Sequence, residues 1–222
     1  MTLALSSLLT LASNTTSGSA KTTSSASPVA NRLLVWCQGS LSNVAHNAPT
    51  AWGLTWSQAT QATGGTTRTS IWTAWTGNTD PASGTATANW AANVGTSFWY
   101  VASVQYADPA VVQGISSNHA ASSSAGTALS NSTAKSDLSR SLAIICNDSN
   151  STANLTAERS GLGNGSAGST PNRGRCGVQW SNTLWDSQMT WSWSGSIAGS
   201  SSIIEIGHVL RMAPKAVSIV KN

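Results

Sequence analysis

Acid–base chemistry in this chain would have to come from seven carboxylates, Asp80, Asp108, Asp137, Asp148, Glu158, Asp186 and Glu205, and from three histidines, His46, His119 and His208. Hydrolysis of a glycosidic bond needs two carboxyl groups across one cleft, one of them with a raised pKa. Glu205 stands out because it interrupts the apolar run Ile203-Ile204-Glu205-Ile206, with His208 close behind. On a strand, such a carboxylate is expected on the outward face of an edge. Asp80 and Asp108 each precede a proline and read as turn formers. The histidines are isolated, and no G-x-S-x-G elbow or Cys-His signature accompanies them. The chain therefore reads as a non-enzyme.

Three cysteines, Cys37, Cys146 and Cys176, are far apart, with neither a C-x-x-C pair nor a histidine at zinc-ligand spacing. No metal and no cofactor are expected. Cys37 and Cys146 lie in apolar runs, Leu33-Leu34-Val35-Trp36-Cys37 and Leu142-Ala143-Ile144-Ile145-Cys146, where a thiol acts as a small buried hydrophobe. The odd count argues against a disulfide framework and leaves room for one bridge.

Eleven tryptophans against two tyrosines and one phenylalanine make indole the main bulky group. An exposed indole face stacks on the C–H face of a sugar ring. Trp36, Trp72, Trp90 and Trp191 fall at strand positions and are expected in the core, whereas Trp52, Trp56 and Trp185 fall near turns and are the candidates for glycan stacking.

The eleven Lys and Arg residues are scattered, and the net charge is +4. The nearest thing to a basic cluster, Asn172-Arg173-Gly174-Arg175, reads as a solvated loop, so no nucleic acid partner is expected. No run approaches the ~20 apolar residues of a membrane helix. The N-terminus lacks the basic n-region and long apolar core of a secretory signal, and Leu3, Leu5, Leu8 and Leu9 read as part of a first strand. Six N-x-[ST] triplets, at Asn14, Asn131, Asn147, Asn150, Asn154 and Asn164, follow from the abundance of Ser and Thr.

Only 8% of residues are charged, against about a quarter in ordinary soluble proteins. Residues that support exposed helices are sparse, while Thr and Trp suit a pleated, half-buried surface. Arg32 to Gln38 and Ser141 to Asn147 read as strands buried on both faces. Trp52 to Thr60 and Thr67 to Trp75 flank Gly64-Gly65 as a hairpin, and Thr85 to Ala91 alternates as a half-buried strand. Phe98 to Tyr106 and the alternating Met189, Trp191 and Trp193 read as further strands, a weaker one spans Ala153 to Arg159, and Ile203 to Met212 closes the series. Ser13 to Ser27 and Ser116 to Lys135 are each a loop or a polar strand. Leu41 to Ala51 reads as a loop, and the glycine-rich Ser160 to Gly174 as an exposed functional loop. About ten short strands without intervening helices predict one all-β domain over residues 1–222, an antiparallel β-sandwich of jelly-roll type.

The segment Pro28-Val29-Ala30-Asn31-Arg32-Leu33-Leu34-Val35-Trp36, then Gly53-Leu54-Thr55-Trp56 and Thr69-Ser70-Ile71-Trp72-Thr73-Ala74-Trp75, resembles a β-sandwich domain of tailed-bacteriophage virion structural proteins. The resemblance covers roughly residues 15 to 110. It implies a virion component on the outer surface of the particle, a capsid decoration protein before a tail or fibre domain, because the chain has no coiled-coil heptads. The implied partners are the major capsid protein or another virion protein and further copies of the chain, a trimer being favoured. Residues 1–12 and 213–222 are candidate docking arms, and Val217, Ile219 and Val220 of the second could add a strand to a partner. The alternative is a sugar-binding module that recognises host surface glycans.

Overall fold

The computed structural model describes residues 2–119, 125–129, 138–147, 156–157, 160–167, 174–181, 188–193 and 197–208. Among them every regular element is a strand, and all pairings are antiparallel. The first half contains β1 (Ala4–Asn14), β2 (Gly18–Ala26), β3 (Arg32–Ser40), β4 (His46–Ala51), β5 (Ser57–Gly64), β6 (Thr67–Trp75), β7 (Gly84–Val94) and β8 (Ser97–Gln105). The second contains β9 (Ala107–His119), β10 (Ala125–Leu129), β11 (Arg140–Asn147), β12 (Thr156–Ala157), β13 (Ser160–Ala167), β14 (Gly174–Trp180), β15 (Gln188–Ser192) and β16 (Gly199–His208).

The two halves repeat one topology. The first forms a five-stranded sheet, β1-β8-β3-β6-β5, and a three-stranded sheet, β2-β7-β4; the second forms β9-β16-β11-β14-β13 and β10-β15-β12. Adding eight to each strand number of the first half reproduces the second. In both, the first strand pairs with the last, the second with the seventh and the third with the sixth, a nested order. The register repeats as well. Leu33, Val35 and Cys37 lie opposite Trp75, Thr73 and Ile71, as Leu142, Ile144 and Cys146 lie opposite Trp180, Val178 and Cys176.

The layers follow from side-chain alternation. On β3, Leu33, Val35 and Cys37 turn into a core shared with Leu142, Ile144, Cys146, Val178 and Ile204, which joins the two five-stranded sheets face to face. Leu34 and Trp36 turn the other way, onto Ala86, Ala88 and Trp90 of the β2-β7-β4 sheet. Likewise Ala143, Ile145 and Ile203 meet Met189 and Trp191 of the β10-β15-β12 sheet. The order is therefore three strands, five, five, three. Both inner sheets are covered on both faces, which explains the unbroken apolar runs of β3 and β11.

The all-β antiparallel sandwich agrees with the sequence; the described residues alone contain sixteen strands, not about ten. The extra ones come from segments without an apolar pattern. Leu41 to Ala51 contains β4, whose Pro49 tolerates a strand because β4 is an edge. The polar Gly18–Ala26 is a strand, and Ser116 to Lys135 holds the end of β9 and all of β10. The expected loop Ser160 to Gly174 is largely β13. A Cβ on Gly163 would lie 2.6 Å from Leu11 Cβ of β1, so glycine serves there for close approach between the two halves. Of the candidate arm 1–12, residues 4–12 are no free arm: they belong to β1, which is hydrogen-bonded to β8, and Leu3 and Leu9 are buried.

Part of the central core is polar. Thr67 Oγ1 lies 3.1 Å from Ser200 Oγ and Thr69 Oγ1 lies 3.0 Å from Ser202 Oγ, all four residues fully buried between β6 and β16. Removing one hydroxyl strands its partner. Thr69→Val is expected to lower unfolding free energy by about 1–3 kcal/mol, and Thr69→Val with Ser202→Ala to recover part of that loss. Urea unfolding of the two single variants and the double variant measures the coupling; additive losses would show that the pair does not interact.

Candidate functional site

Trp52 and Trp56 lie between β4 and β5. Ala51 to Leu54 forms a tight turn, with Trp52 at φ 51° and Gly53 at φ 68° and the Leu54 N–H donating to the Ala51 carbonyl at 3.0 Å. Positive φ at both central residues is the type I′ geometry, unusual for a residue as large as Trp. It is held because the Trp52 indole N–H donates to the Gly84 carbonyl at 3.0 Å and the ring leans on Trp56, centroids 6.3 Å apart. Trp56 meets Trp36 edge to face at 5.9 Å. Trp52 is 8% and Trp56 7% exposed. The expectation that these rings lie open for sugar stacking is therefore corrected: the turn folds both indoles onto the outer core. Trp185 and the docking candidates Val217, Ile219 and Val220 lie outside the described residues.

His46 is not isolated. Its Nε2 lies 2.9 Å from Ser40 Oγ and its Nδ1 2.7 Å from Ser70 Oγ. The Trp72 indole N–H donates to Ser70 Oγ at 3.1 Å, and Ser40 Oγ donates to the Ser42 carbonyl at 3.0 Å. One proton per hydroxyl sets the direction of the whole chain: Trp72 to Ser70, Ser70 to Nδ1, Nε2–H to Ser40, Ser40 to Ser42. The Ser40 bond fixes a proton on Nε2, and a neutral ring then accepts from Ser70 at Nδ1. Burial, then the charge of Arg68, pushes the His46 pKa down to about 3. Although Ser70 and His46 have the contact of a nucleophile and its base, both are buried, and the pair joins β4 to β6 inside the protein.

Lys21, on β2, is buried with its ammonium 5.6 Å from the centroid of the Trp90 ring. It donates to the Gly95 carbonyl and, at 3.4 Å, to that of Asn14, closing the polar ends of β1 and β7. Desolvation lowers its pKa to about 8. Glu205 is corrected in position: β16 runs between β11 and β9, so it is no edge, and Glu205 is fully buried. Arg175, expected in a solvated loop, is buried in β14. β14 carries no alternating apolar signal in the sequence, whereas β16 does, and what the sequence leaves open there is that β16 is an inner strand.

The three thiols, distant in sequence, meet. Cys37, Cys146 and Cys176 all belong to the central core, and a Cβ on Gly39 would touch Sγ of both Cys146 and Cys176 at 3.5 Å. Burial raises the pKa of Cys37 and, with the neighbouring thiols, that of Cys176. Among the described residues no cluster of three or more His, Cys, Asp or Glu is arranged to hold a metal ion.

Among the described residues an apolar corner stands in the open. Val29 is 50% and Trp75 36% exposed, the large apolar side chains in the open among the described residues. The turn bearing Val29 is pinned by the Ala30 N–H donating to Asp80 Oδ1 at 2.6 Å and the Asn31 N–H donating to the Gly77 carbonyl at 2.7 Å, next to the end of β6. Asn31 there adopts φ 55°, which Asn tolerates better than most residues. This corner comes from the same Pro28 to Asn31 and Thr69 to Trp75 segments that carry the resemblance.

What fold and site define is a layered, antiparallel, all-β sandwich protein built from a repeated eight-strand plan. Comparison with protein-family models, with curated proteins and with solved structures finds no match in any of the three.

Proposed function

We propose that each half is a jelly roll and that the chain is a virion structural protein, in first place a capsid decoration protein that binds the shell from outside. The observation that carries this reading is the nested strand pairing, present twice; jelly rolls occur in viral capsid and lectin domains and in cupins. Low charge and short hydroxyl side chains suit a protein that must persist in contact with neighbours. The pinned corner with Val29 and Trp75 offers a rigid contact point, consistent with a partner such as the major capsid protein. A homotrimer fits a shell with closed symmetry. The sugar-binding alternative loses Trp52 and Trp56 as platforms and would have to use Trp75 or Trp185.

Density-gradient separation of particles from a culture that produces the protein tests this. The chain is expected to band with assembled particles at a fixed stoichiometry, and the free protein to sediment at three times 22.7 kDa. Deleting residues 213–222 is expected to abolish incorporation. A chain that stays at the top of the gradient and binds isolated glycans on an array would replace the shell reading with the lectin one.

A further inference from the structure

We propose that Cys146 and Cys176 are a cross-strand disulfide site, one that staples the second half of the molecule and has no counterpart in the first. Neither cysteine's position depends on the functional reading above. The two residues are directly opposite on β11 and β14. Opposed residues of an antiparallel pair have Cα atoms about 4.5 or 5.5 Å apart, inside the range a disulfide spans. Both sulfurs crowd the same point, each 3.5 Å from where a Cβ on Gly39 would lie, and the Cys146 thiol donates to the Ser40 carbonyl at 3.8 Å. Cys37 is placed differently: it stands on the facing sheet, opposite Ile71 and Tyr100 within its own layer.

The internal repeat sharpens the assignment. Cys37 and Cys146 occupy the same place in the two halves, but the residue across from Cys37 is Ile71, where the second half has Cys176. The bridge can therefore form in one half alone. It would tie the central strand β11 to β14 and close the chain from 146 to 176, which includes β12 and β13.

The chemistry is a two-electron oxidation. With a small disulfide oxidant such as oxidised glutathione, one thiolate attacks a glutathione sulfur and expels one reduced glutathione; the second thiolate then displaces the other. One S–S bond forms in the protein and one breaks in the oxidant, and the two thiol protons end on the two reduced glutathiones. Because both thiols are buried in the folded protein, exchange takes place as the sheet forms or when it opens locally.

The test uses the full chain, unfolded in guanidinium and refolded in a glutathione buffer, then alkylated and mapped by mass spectrometry; native protein held just below its thermal midpoint with oxidised glutathione is the second measurement. Expected are a loss of two hydrogens, a linked peptide pair containing Cys146 and Cys176, alkylation at Cys37 alone, and a thermal midpoint roughly 5–15 °C above that of the reduced chain. Three alkylated thiols under both regimes, or a bridge that includes Cys37, would overturn the assignment.

Discussion

Trp36→Ala is expected to lower the unfolding free energy by about 3–5 kcal/mol, out of the roughly 5–15 kcal/mol available to a domain. Trp36 is fully buried at the centre of the outer core of the first half, on the middle strand of its sheet, and meets Trp56 edge to face. Removing the indole opens a cavity that rigid strands on either side cannot close. A fall in thermal midpoint of about 10 °C or more follows from the usual entropy of unfolding at this chain length. Trp36→Phe should cost less, because the indole N–H of Trp36 has no hydrogen-bond partner and its loss leaves nothing unpaired. Trp75→Ala, at the exposed corner, should change stability by under about 1 kcal/mol. Calorimetry on the three variants decides it; equal losses for Trp36→Ala and Trp75→Ala would mean that the outer core is not where the first half derives its stability.

Acidification provides the second large effect. The native His46 pKa is pushed down to about 3 by burial and by Arg68, while an unfolded histidine titrates near 6.5. Between those values the unfolded chain holds a proton that the native chain refuses, so stability falls as pH drops from about 6.5 towards 3 and is insensitive to this group above pH 7. The full window corresponds to several kcal/mol, on the order of 1.4 kcal/mol per pH unit. His46→Gln removes the titration and should flatten the stability curve between pH 6.5 and 4.5, even though the variant is less stable at neutral pH for want of one hydrogen bond to Ser40 or Ser70. Parallel slopes for wild type and variant would place the acid sensitivity elsewhere.

Both effects depend on contacts whose residues the sequence singled out unequally. Trp36 announced its burial through the run Leu33 to Cys37, apolar on both faces. His46 gave no sign, since its partners Ser40 and Ser70 are among dozens of serines and come together only when β3, β4 and β6 align. Glycine misled in the opposite sense. Around Ser160 to Gly174 it suggests an irregular loop, whereas Gly163 lets β1 approach β13, and Gly174 lies where a Cβ would run into Leu41. Trp52 misled because turn positions are ordinarily exposed, and here a type I′ turn points the indole inward.

By itself the sequence determined the fold class and the strands with strong apolar patterns, because alternation and the scarcity of charge are local properties that few other structures satisfy. It also contained the cysteines, the serines and the tryptophans, but not their company. The tertiary structure decided that the chain repeats one eight-strand plan, that two five-stranded sheets share a core, and that Cys146 faces Cys176. Those outcomes rest on pairings between residues tens of positions apart, whose register is set by the joint packing of four layers and leaves no periodic trace along the chain.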